Sequence, residues 1–351
     1  MPSLHAQRLA AQLLSGPPAQ TAEDVVRRLL AVQGQDPRGA RLAVRSRSVG
    51  LTAADVDEGL TTRRSLLITW LNRGTLHLVT PEDYWWLHPL TRPQLTTGNK
   101  RRLEQEGVSA EQAERGVEAV AAAVAEGPRT RHELRAALDA AGVPTRGQAL
   151  VHVLLAATLR GHVVRGPMRG GEHAFVAVRD WLGEPPEALE RDEMLARLAR
   201  RYLTGHGPAD ARDLARWAGI ALGNARRGLA ALGDEVVPHG DGLVDLADRI
   251  AATRLPPPRL LGAFDPVLLG WVSREAVVGD HHHLVTDNGL FRPMALVGGR
   301  AMATWGLADG VLTIHVLEPI KPAALKALLA DARDVLRFFG LPDRPAVVRS
   351  G

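Results

Sequence analysis

Residues 130–177, TRHELRAALDAAGVPTRGQALVHVLLAATLRGHVVRGPMRGGEHAFVA, decide the fold class predicted for this chain. Thr130 and Glu133 have the spacing of a capping box, which predicts a helix over residues 130–141. The sequence Gly142-Val143-Pro144 then predicts a sharp turn, and the apolar run after it predicts a second helix over residues 145–160. The centre of this stretch is therefore two helices joined by a tight turn.

A β-hairpin is predicted to follow these helices. Gly161 ends the second helix, and residues 163–165 and 174–176 read as short strands on either side of the glycine-rich residues 166–171. A helix over residues 111–125 precedes the pair. The order helix, helix, turn, helix and hairpin is that of a winged helix, a fold that is common in DNA-binding proteins.

The same order recurs directly downstream. Helices are predicted over residues 187–203, 209–218 and 221–232, and the last of these carries Arg226 and Arg227. A second hairpin is predicted from residues 235–237 and 243–245. The two segments share little sequence, so this is a repeat of pattern only.

The remaining chain predicts short helices at one end and short strands at the other. Helices are predicted at 4–14, 22–32, 52 onward and 65–70, with another opened by Asp36-Pro37, and a strand is predicted at 75–79. Beyond the linker at residues 256–258, strands are predicted at 277–278, 284–285, 294–297, 301–305 and 311–316, before a closing helix at 321–338.

We therefore expect a mainly α (α+β) protein with tandem winged-helix repeats and a small C-terminal antiparallel β domain. The predicted winged-helix units cover residues 1–100, 101–185 and 186–255, and the β-rich domain covers residues 259–351 with its closing helix. No leader-like segment opens the chain and no run of about 18 apolar residues occurs in it. These features favour a cytoplasmic, nucleoid-associated protein with no membrane partner.

The composition excludes several kinds of chemistry. The chain has no cysteine, so disulfides, thiolate metal sites and cysteine nucleophiles are absent. It also lacks the glycine-rich motifs of nucleotide-binding proteins and the GxSxG motif of α/β-hydrolases. Almost all of the positive charge is arginine, and the net charge is only +4. The position of the arginines, and not their number, must therefore decide whether nucleic acid is the partner.

Gln33 and Gln35 are the candidate catalytic residues. Gly34 breaks the preceding helix and Pro37 fixes the start of the next, so both glutamines are predicted on a short connector. Residues two apart on extended backbone point the same way, which lets two carboxamides converge. Spacing alone favours the plainer interpretation, that the two side chains cap the helix ends.

Candidate DNA-binding residues lie on either side of this connector. Arg38, Arg41 and Arg45 have helical spacing, and they form either a phosphate-contacting face or an ordinary solvated one. Arg73 is predicted at a turn, and Thr75 and His77 on one face of the following strand. A buried, hydrogen-bonded histidine is the commoner outcome for a residue such as His77.

Two further groups of residues suggest a metal site or a catalytic residue, but each has a simpler structural interpretation. His281-His282-His283 resembles a metal site, but neighbours on a strand point to opposite faces, so we expect no zinc there and no cofactor elsewhere. Asp265 stands before Pro266, a position more typical of a helix cap than of a catalytic carboxylate.

Taken together, these segments resemble the AlkZ/YcaQ family of bacterial DNA glycosylases, which unhook interstrand cross-links. VQGQD at residues 32–36 is similar to the family's Gln-x-Gln motif, although Gly34 stands where a larger apolar residue is usual. RGTLHLV at residues 73–79 is similar to its RGTxHLV strand, and LLGAFDPVLLG at residues 260–270 to its LLPAFDxxLLG segment. The matches cover most of the chain.

The resemblance implies a monofunctional glycosylase acting on double-stranded DNA that carries alkylated purines, with no obligate protein partner. It implies that Gln33 and Gln35 position a water against an oxocarbenium-like sugar, and that a bulky lesion is processed without base flipping. Two other classes remain: a non-catalytic regulator that reads DNA through residues 145–160 and 221–232, and a protein-interaction scaffold. Base release and DNA binding separate the three.

Overall fold

The computed structural model describes residues 3–250, 254–286 and 289–350, about 48% of the chain being helix and 18% strand. The protein is therefore mainly helical with several sheets, as the sequence predicts. Its helices are α1 (Leu4–Ala11), α2 (Ala22–Leu29), α3 (Pro37–Arg45), α4 (Ala53–Thr61), α5 (Pro81–Gln105), α6 (Ala110–Ala125), α7 (Arg131–Ala140), α8 (Ala149–Leu159), α9 (Val178–Leu182), α10 (Arg191–His206), α11 (Ala211–Ala218), α12 (Leu222–Ala230), α13 (Glu275–Val278) and α14 (Pro322–Phe338).

The strands are short and belong to three sheets. They are β1 (Val32–Gln33), β2 (Leu67–Leu71), β3 (Thr75–Val79), β4 (Val163–Arg169), β5 (Glu172–Ala177), β6 (Val236–Pro238), β7 (Val244–Leu246), β8 (Arg259–Leu261), β9 (Met294–Val297), β10 (Arg300–Ala308), β11 (Val311–Val316) and β12 (Val347–Ser350).

The chain divides into two compact units that are discontinuous in sequence. The first unit takes in the described residues up to Val56, then Leu195–Trp217, and the described residues from Ala221 onward. The second takes in Asp57–Met194 and Ala218–Ile220. No helix in the described part of the chain is both long enough and apolar enough to cross a membrane.

The second unit contains the stretch that predicts the fold class. Thr130 caps α7, its hydroxyl accepting from the Glu133 amide while the Glu133 carboxylate accepts from the Thr130 amide, so the predicted capping box is confirmed. Strands β4 and β5 form the predicted hairpin, and the strand order in this unit is β3-β2-β4-β5. The apolar helix α8 packs against α5 and α6. Eight of its eleven residues are buried, so α8 is a core helix.

The first unit is organised around an open C-terminal sheet. Its strands have the order β12-β11-β10-β9-β8, antiparallel except for the β11–β12 pair. Leu42 of α3, Trp305 of β10 and Leu328 of α14 share one buried cluster, which joins the helix after the glutamine connector to the sheet. Helices α10, α11 and α12 and the β6–β7 hairpin follow the order predicted from sequence.

Several local predictions are wrong, and one long helix is missed. The sequence predicts a helix over residues 65–70, but Leu67–Leu71 is strand β2, which pairs with β3 through the turn at Asn72. A short apolar run fits either structure, and the neighbouring strand decides. Residues 277–278 belong to a helical turn instead of a strand, and the strand predicted at 284–285 is absent because Leu284 ends a 3-10 turn. Helix α5 is absent from the predicted elements, because Pro89 and Pro93 interrupt its pattern.

Candidate active site

The two glutamines lie where the sequence predicts, on the connector between α2 and α3 in the first unit. Helix α2 ends at Leu29, and Leu30 follows in a left-handed conformation (φ 66°) that turns the chain sharply. Gln33 ends the short strand β1 and Gln35 lies on the bend after it. Asp36 then caps α3 by accepting from the Arg38 amide, with Pro37 at the first helical position. The predicted helix start is confirmed.

The two carboxamides differ in their exposure. Gln33 is 6% exposed, whereas Gln35 is exposed. Because Gln33 is buried, it contributes to packing as well as to any chemistry. Gln35 is the residue of the pair that solvent or a ligand reaches directly.

Close backbone packing supports the helix that follows the glutamines. A Cβ atom placed on Gly39 would lie 2.3 Å from the carbonyl oxygen of Ala263. One placed on Gly262 would lie 2.8 Å from the Cβ of Leu42. Both positions therefore exclude a side chain, and α3 rests directly on the segment before Asp265. Phe264 in that segment has a φ of 56°, which is costly for an aromatic residue.

Asp265 has a structural role. Its carboxylate accepts from the Val267 amide at 3.0 Å, so the predicted helix cap is confirmed. The same carboxylate accepts two hydrogen bonds from the Arg47 guanidinium, at 2.7 and 2.9 Å. Both side chains are completely buried, which leaves Asp265 out of reach of a substrate.

The three arginines of α3 do not form one exposed face, and this prediction is wrong. Arg45 is buried against α14, where its guanidinium pairs with Asp331 at 2.8 Å and Asp334 at 2.9 Å. Arg41 is 7% exposed and donates to the Pro37 carbonyl. Only Arg38 is exposed, with its guanidinium 5.9 Å from the Phe339 ring centre. Two of the three charges are therefore used in holding the unit together.

Arg73, Thr75 and His77 lie in the second unit, on and beside the β2–β3 hairpin. Arg73 is half-buried at the turn, Thr75 starts β3, and His77 faces Thr69 across the strand pair. The His77 ring Nδ1 lies 2.9 Å from the Thr75 carbonyl oxygen, which makes Nδ1 the donor when the ring is neutral. The buried, hydrogen-bonded histidine is the alternative that this geometry favours.

The environment of His77 keeps its ring uncharged. Burial lowers the pKa of His77 to about 3, the nearby Arg73 charge acting in the same direction and the bond to the Thr75 carbonyl opposing them. The neutral ring presents Nε2 as an acceptor. The hydroxyls of Thr69 and Thr75 are buried without a hydrogen-bond partner in the described structure, so this face of the hairpin is polar and incompletely satisfied.

Asn72 is a buried polar residue outside the set of predicted site residues. It lies at the hairpin turn with a φ of 53°, and its side-chain nitrogen and oxygen are both buried with no partner among the described residues. Asparagine tolerates the left-handed conformation that this turn needs, which explains its backbone but not its unsatisfied amide. The motif Asn-Arg-Gly between two apolar runs is the sequence signal that points to it.

The predicted site residues thus fall into two groups, one in each unit. Gln33, Gln35 and Arg38 lie around the start of α3 in the first, and the hairpin residues lie in the second.

No group of three or more metal-ligating side chains occurs among the described residues. Of the two interpretations of the histidine run, a surface strand or a loop, the structure rules out the strand, because His282 and His283 belong to a 3-10 turn. The His281 and His283 ring centres are 5.8 Å apart, and His281 Nε2 lies 2.8 Å from the Glu318 carboxylate. Arg300 reaches the same carboxylate at 3.4 Å. A guanidinium already occupies this position, which opposes a second cation.

The two helices predicted as groove readers have opposite surroundings. Helix α8 is apolar and largely buried, so it cannot enter a DNA groove. Helix α12 buries Ala225 and Gly228 and exposes Arg226. A Cβ atom on Gly228 would lie 2.5 Å from the Leu195 carbonyl oxygen, so this side of α12 is fixed and its basic side faces outward.

Comparisons with known proteins show the family to which this chain belongs. A family model described as "DNA glycosylase AlkZ-like" matches residues 26–338. The interstrand DNA cross-link repair glycosylase of Streptomyces sahachiroi is 29% identical over 366 residues, covering 97% of this chain and 96% of that protein. The solved structure of Streptomyces sahachiroi DNA glycosylase AlkZ is similar over 100% of both chains, with a TM-score of 0.82 and 26% identity. The chain belongs to the AlkZ-like DNA glycosylase family.

Proposed function

We propose that this protein is a monofunctional DNA glycosylase that hydrolyses the N-glycosidic bond of alkylated purines, N7-alkylguanine above all. The observation that carries the proposal is the glutamine pair, whose members are two residues apart on one connector. The helix after this connector packs closely, through Gly39, on the backbone of Ala263. The relatives are named as glycosylases, one of them for interstrand cross-link repair, and this supports the substrate class.

The chemistry suits neutral side chains. Alkylation at N7 makes guanine cationic, so the bond between C1′ and N9 breaks with its electron pair passing to the base. A water oxygen then bonds to C1′ and releases its proton to solvent. Amide oxygens of Gln33 and Gln35 hold this water and favour the positive charge that develops on the sugar. A glutamine side chain is too weak a base to take a proton from the water. It can only position the water and stabilise the charge on the sugar.

Each unit supplies candidate DNA contacts of its own. The segments α6–α8 with β4–β5, and α10–α12 with β6–β7, serve as winged-helix units. Helix α12 with Arg226 lies in or along a groove, and Arg38 and Arg73 contact phosphates. The Thr75 hydroxyl on the same hairpin is buried, so Thr75, like buried His77, positions the strand and does not contact the DNA itself. Arg41 and Arg45 take no part, because they are buried.

One assay separates this function from its rivals. The full chain is incubated in excess with a duplex that carries a single 7-methylguanine, and release of the base is followed over one turnover. A second duplex carries an interstrand cross-link through guanine N7. Release from the first duplex supports the proposal. DNA binding without release of base would favour a regulator, and the absence of both would favour a scaffold.

A further inference from the structure

The C-terminal half of α5 carries an exposed concentration of positive charge. Residues 84–103 contain no acidic side chain but hold Arg92, Lys100, Arg101 and Arg102. The first half of the helix is buried through apolar residues such as Trp86 and Leu87, whereas the second half is mostly exposed. This half of α5 lies outside the three motifs that resemble those of the family.

The helical spacing groups these residues on one face. Arg92, Thr96 and Lys100 follow one another at intervals of four, and Thr97 and Arg101 form a second row beside them. All five side chains are exposed. These five residues are called the α5 basic face.

The opposite side of the helix fixes the orientation of this face. Thr91 and Leu103 are buried, and the amide of buried Asn99 donates to the His152 carbonyl of α8 at 2.9 Å. The α5 basic face therefore points outward as part of a packed helix.

The charges of the α5 basic face are not neutralised by the protein. Arg92, Lys100 and Arg101 form no ion pair with any described residue. Other exposed arginines of the same unit do have acidic partners, and three examples are Arg63 with Glu58, Arg115 with Glu111 and Arg179 with Glu184.

We propose that the α5 basic face binds the phosphodiester backbone of duplex DNA. The proposal rests on the proposed function, since it assigns a second contact surface for the same substrate. Arg92 and Lys100 are eight residues apart, about 12 Å along the helix. Each strand presents a phosphate about every 3.4 Å of the duplex axis, so this length covers about three phosphates.

The composition of the face favours phosphate over an acidic protein. Its neutral members are threonines, whose hydroxyls donate to the carbonyls of Arg92 and Pro93 in the preceding turn. These side chains therefore lie close to the helix and let a backbone approach. The face has none of the large aromatic or aliphatic anchors from which protein interfaces draw their affinity. Contacts to a DNA backbone need only cations and small polar groups.

The test is a binding titration of undamaged duplex by the full-length Arg92→Gln/Lys100→Gln/Arg101→Gln variant at several salt concentrations. The slope of log affinity against log salt should become shallower by about 2 to 3, because each phosphate that is no longer neutralised contributes about 0.9. Affinity at low salt should fall at least about tenfold. The matched control is Arg63→Gln/Arg115→Gln/Arg179→Gln, which removes the same charge from paired positions and should change the slope by less than about 1.

The outcomes distinguish the two proposals. A slope that becomes shallower in the α5 variant, but not in the control variant, supports the proposed DNA binding by the α5 basic face. Equal slopes for both variants and wild type would overturn it, as would equally weakened binding by both variants, which would show an effect of net charge alone. If the wild-type protein binds no duplex, both this inference and the proposed function fail. Wild-type binding and base release with an unaffected variant would remove only the inference, and an acidic protein would then be the better partner.

Discussion

Arg47 and Asp265 form a bidentate ion pair in which both side chains are 0% exposed, with Nη2–Oδ1 and Nη1–Oδ2 distances of 2.7 and 2.9 Å. The pair joins the residues after α3 to the segment that packs on Gly39. It therefore lies directly behind the helix that begins next to Gln35. The buried pair thus supports the packing of α3, the helix that follows the glutamine connector.

We expect Asp265→Asn to lower the free energy of unfolding by about 3 to 5 kcal/mol, because it leaves the Arg47 charge buried without a counter-ion. Chemical denaturation of the variant and wild type measures the difference. The control is Arg27→Gln, which breaks the exposed pair with Asp24 and should cost less than about 1 kcal/mol. A destabilisation by Asp265→Asn as small as that of the control would contradict the assignment.

A second set of buried groups predicts reduced stability in mild acid. Burial lowers the pKa of His77 and His206 to about 3 and that of His88 to about 4. In the unfolded chain each histidine takes up a proton near pH 6.5. Between these pKa values the unfolded state binds more protons than the folded state. The stabilising contribution of the three histidines is therefore complete above pH 6.5, and the free energy of unfolding falls as the pH drops below it. The slope is about 1.4 kcal/mol per pH unit for each histidine.

Urea unfolding at pH 7.5 and at steps down to pH 5 measures this slope. His206→Gln should make it shallower by about 1.4 kcal/mol per pH unit, even if the variant is less stable at every pH. His132→Gln, at an exposed position, should leave it unchanged. A flat profile for the wild-type protein between pH 7.5 and 5 would show that these three histidines are not held neutral.

We also expect no functional zinc at His281–His283. The Glu318 carboxylate that His281 reaches is shared with the Arg300 guanidinium, which opposes a cation there. Elemental analysis of untagged protein should find zinc well below one equivalent, and addition of a chelator should leave the melting temperature unchanged. Stoichiometric zinc that disappears when His281 and His283 are replaced would refute this expectation.

Local signals in the sequence are sufficient to predict much of the fold. Thr130 and Asp36 each cap the helix that the sequence predicts after them, because a cap depends only on the next few residues. Helix α5 escapes prediction because Pro89 and Pro93 normally end a helix, whereas in the folded protein α5 packs against α8 and continues past both prolines.

The sequence predicts where the candidate site lies in the chain, but not which residues surround its side chains. The connector with Gln33 and Gln35 follows from Gly34 and Pro37, which are local. The position of Arg45 does not, because its partner Asp331 is 286 residues away and no short pattern connects them. Helical spacing predicts a basic face on α3, but the tertiary partners turn two of its three charges inward.

Substitution of the glutamines tests the proposed chemistry. Gln35→Ala should slow release of 7-methylguanine by about a hundred- to a thousandfold, since a positioned polar group in comparable sites is worth about 3 to 4 kcal/mol. Gln35 is exposed, so DNA affinity and melting temperature should change little. Gln20→Ala is the matched control: the exposed Gln20 side chain donates to the Pro18 carbonyl at 3.3 Å, so its removal should leave the release rate unaltered.

Gln33 needs a different design, because it is 6% exposed and its truncation leaves a void. We expect Gln33→Ala to lower both the release rate and the stability, whereas Gln33→Met keeps most of the volume and removes only the amide. A slow but well-folded Gln33→Met enzyme would therefore assign the effect to chemistry. Gln35→Asp keeps a side-chain oxygen that can accept a hydrogen bond and should retain part of the activity. If folded, DNA-bound variants at both positions released the base at the wild-type rate, the pair would be structural and the proposed mechanism would have to be abandoned.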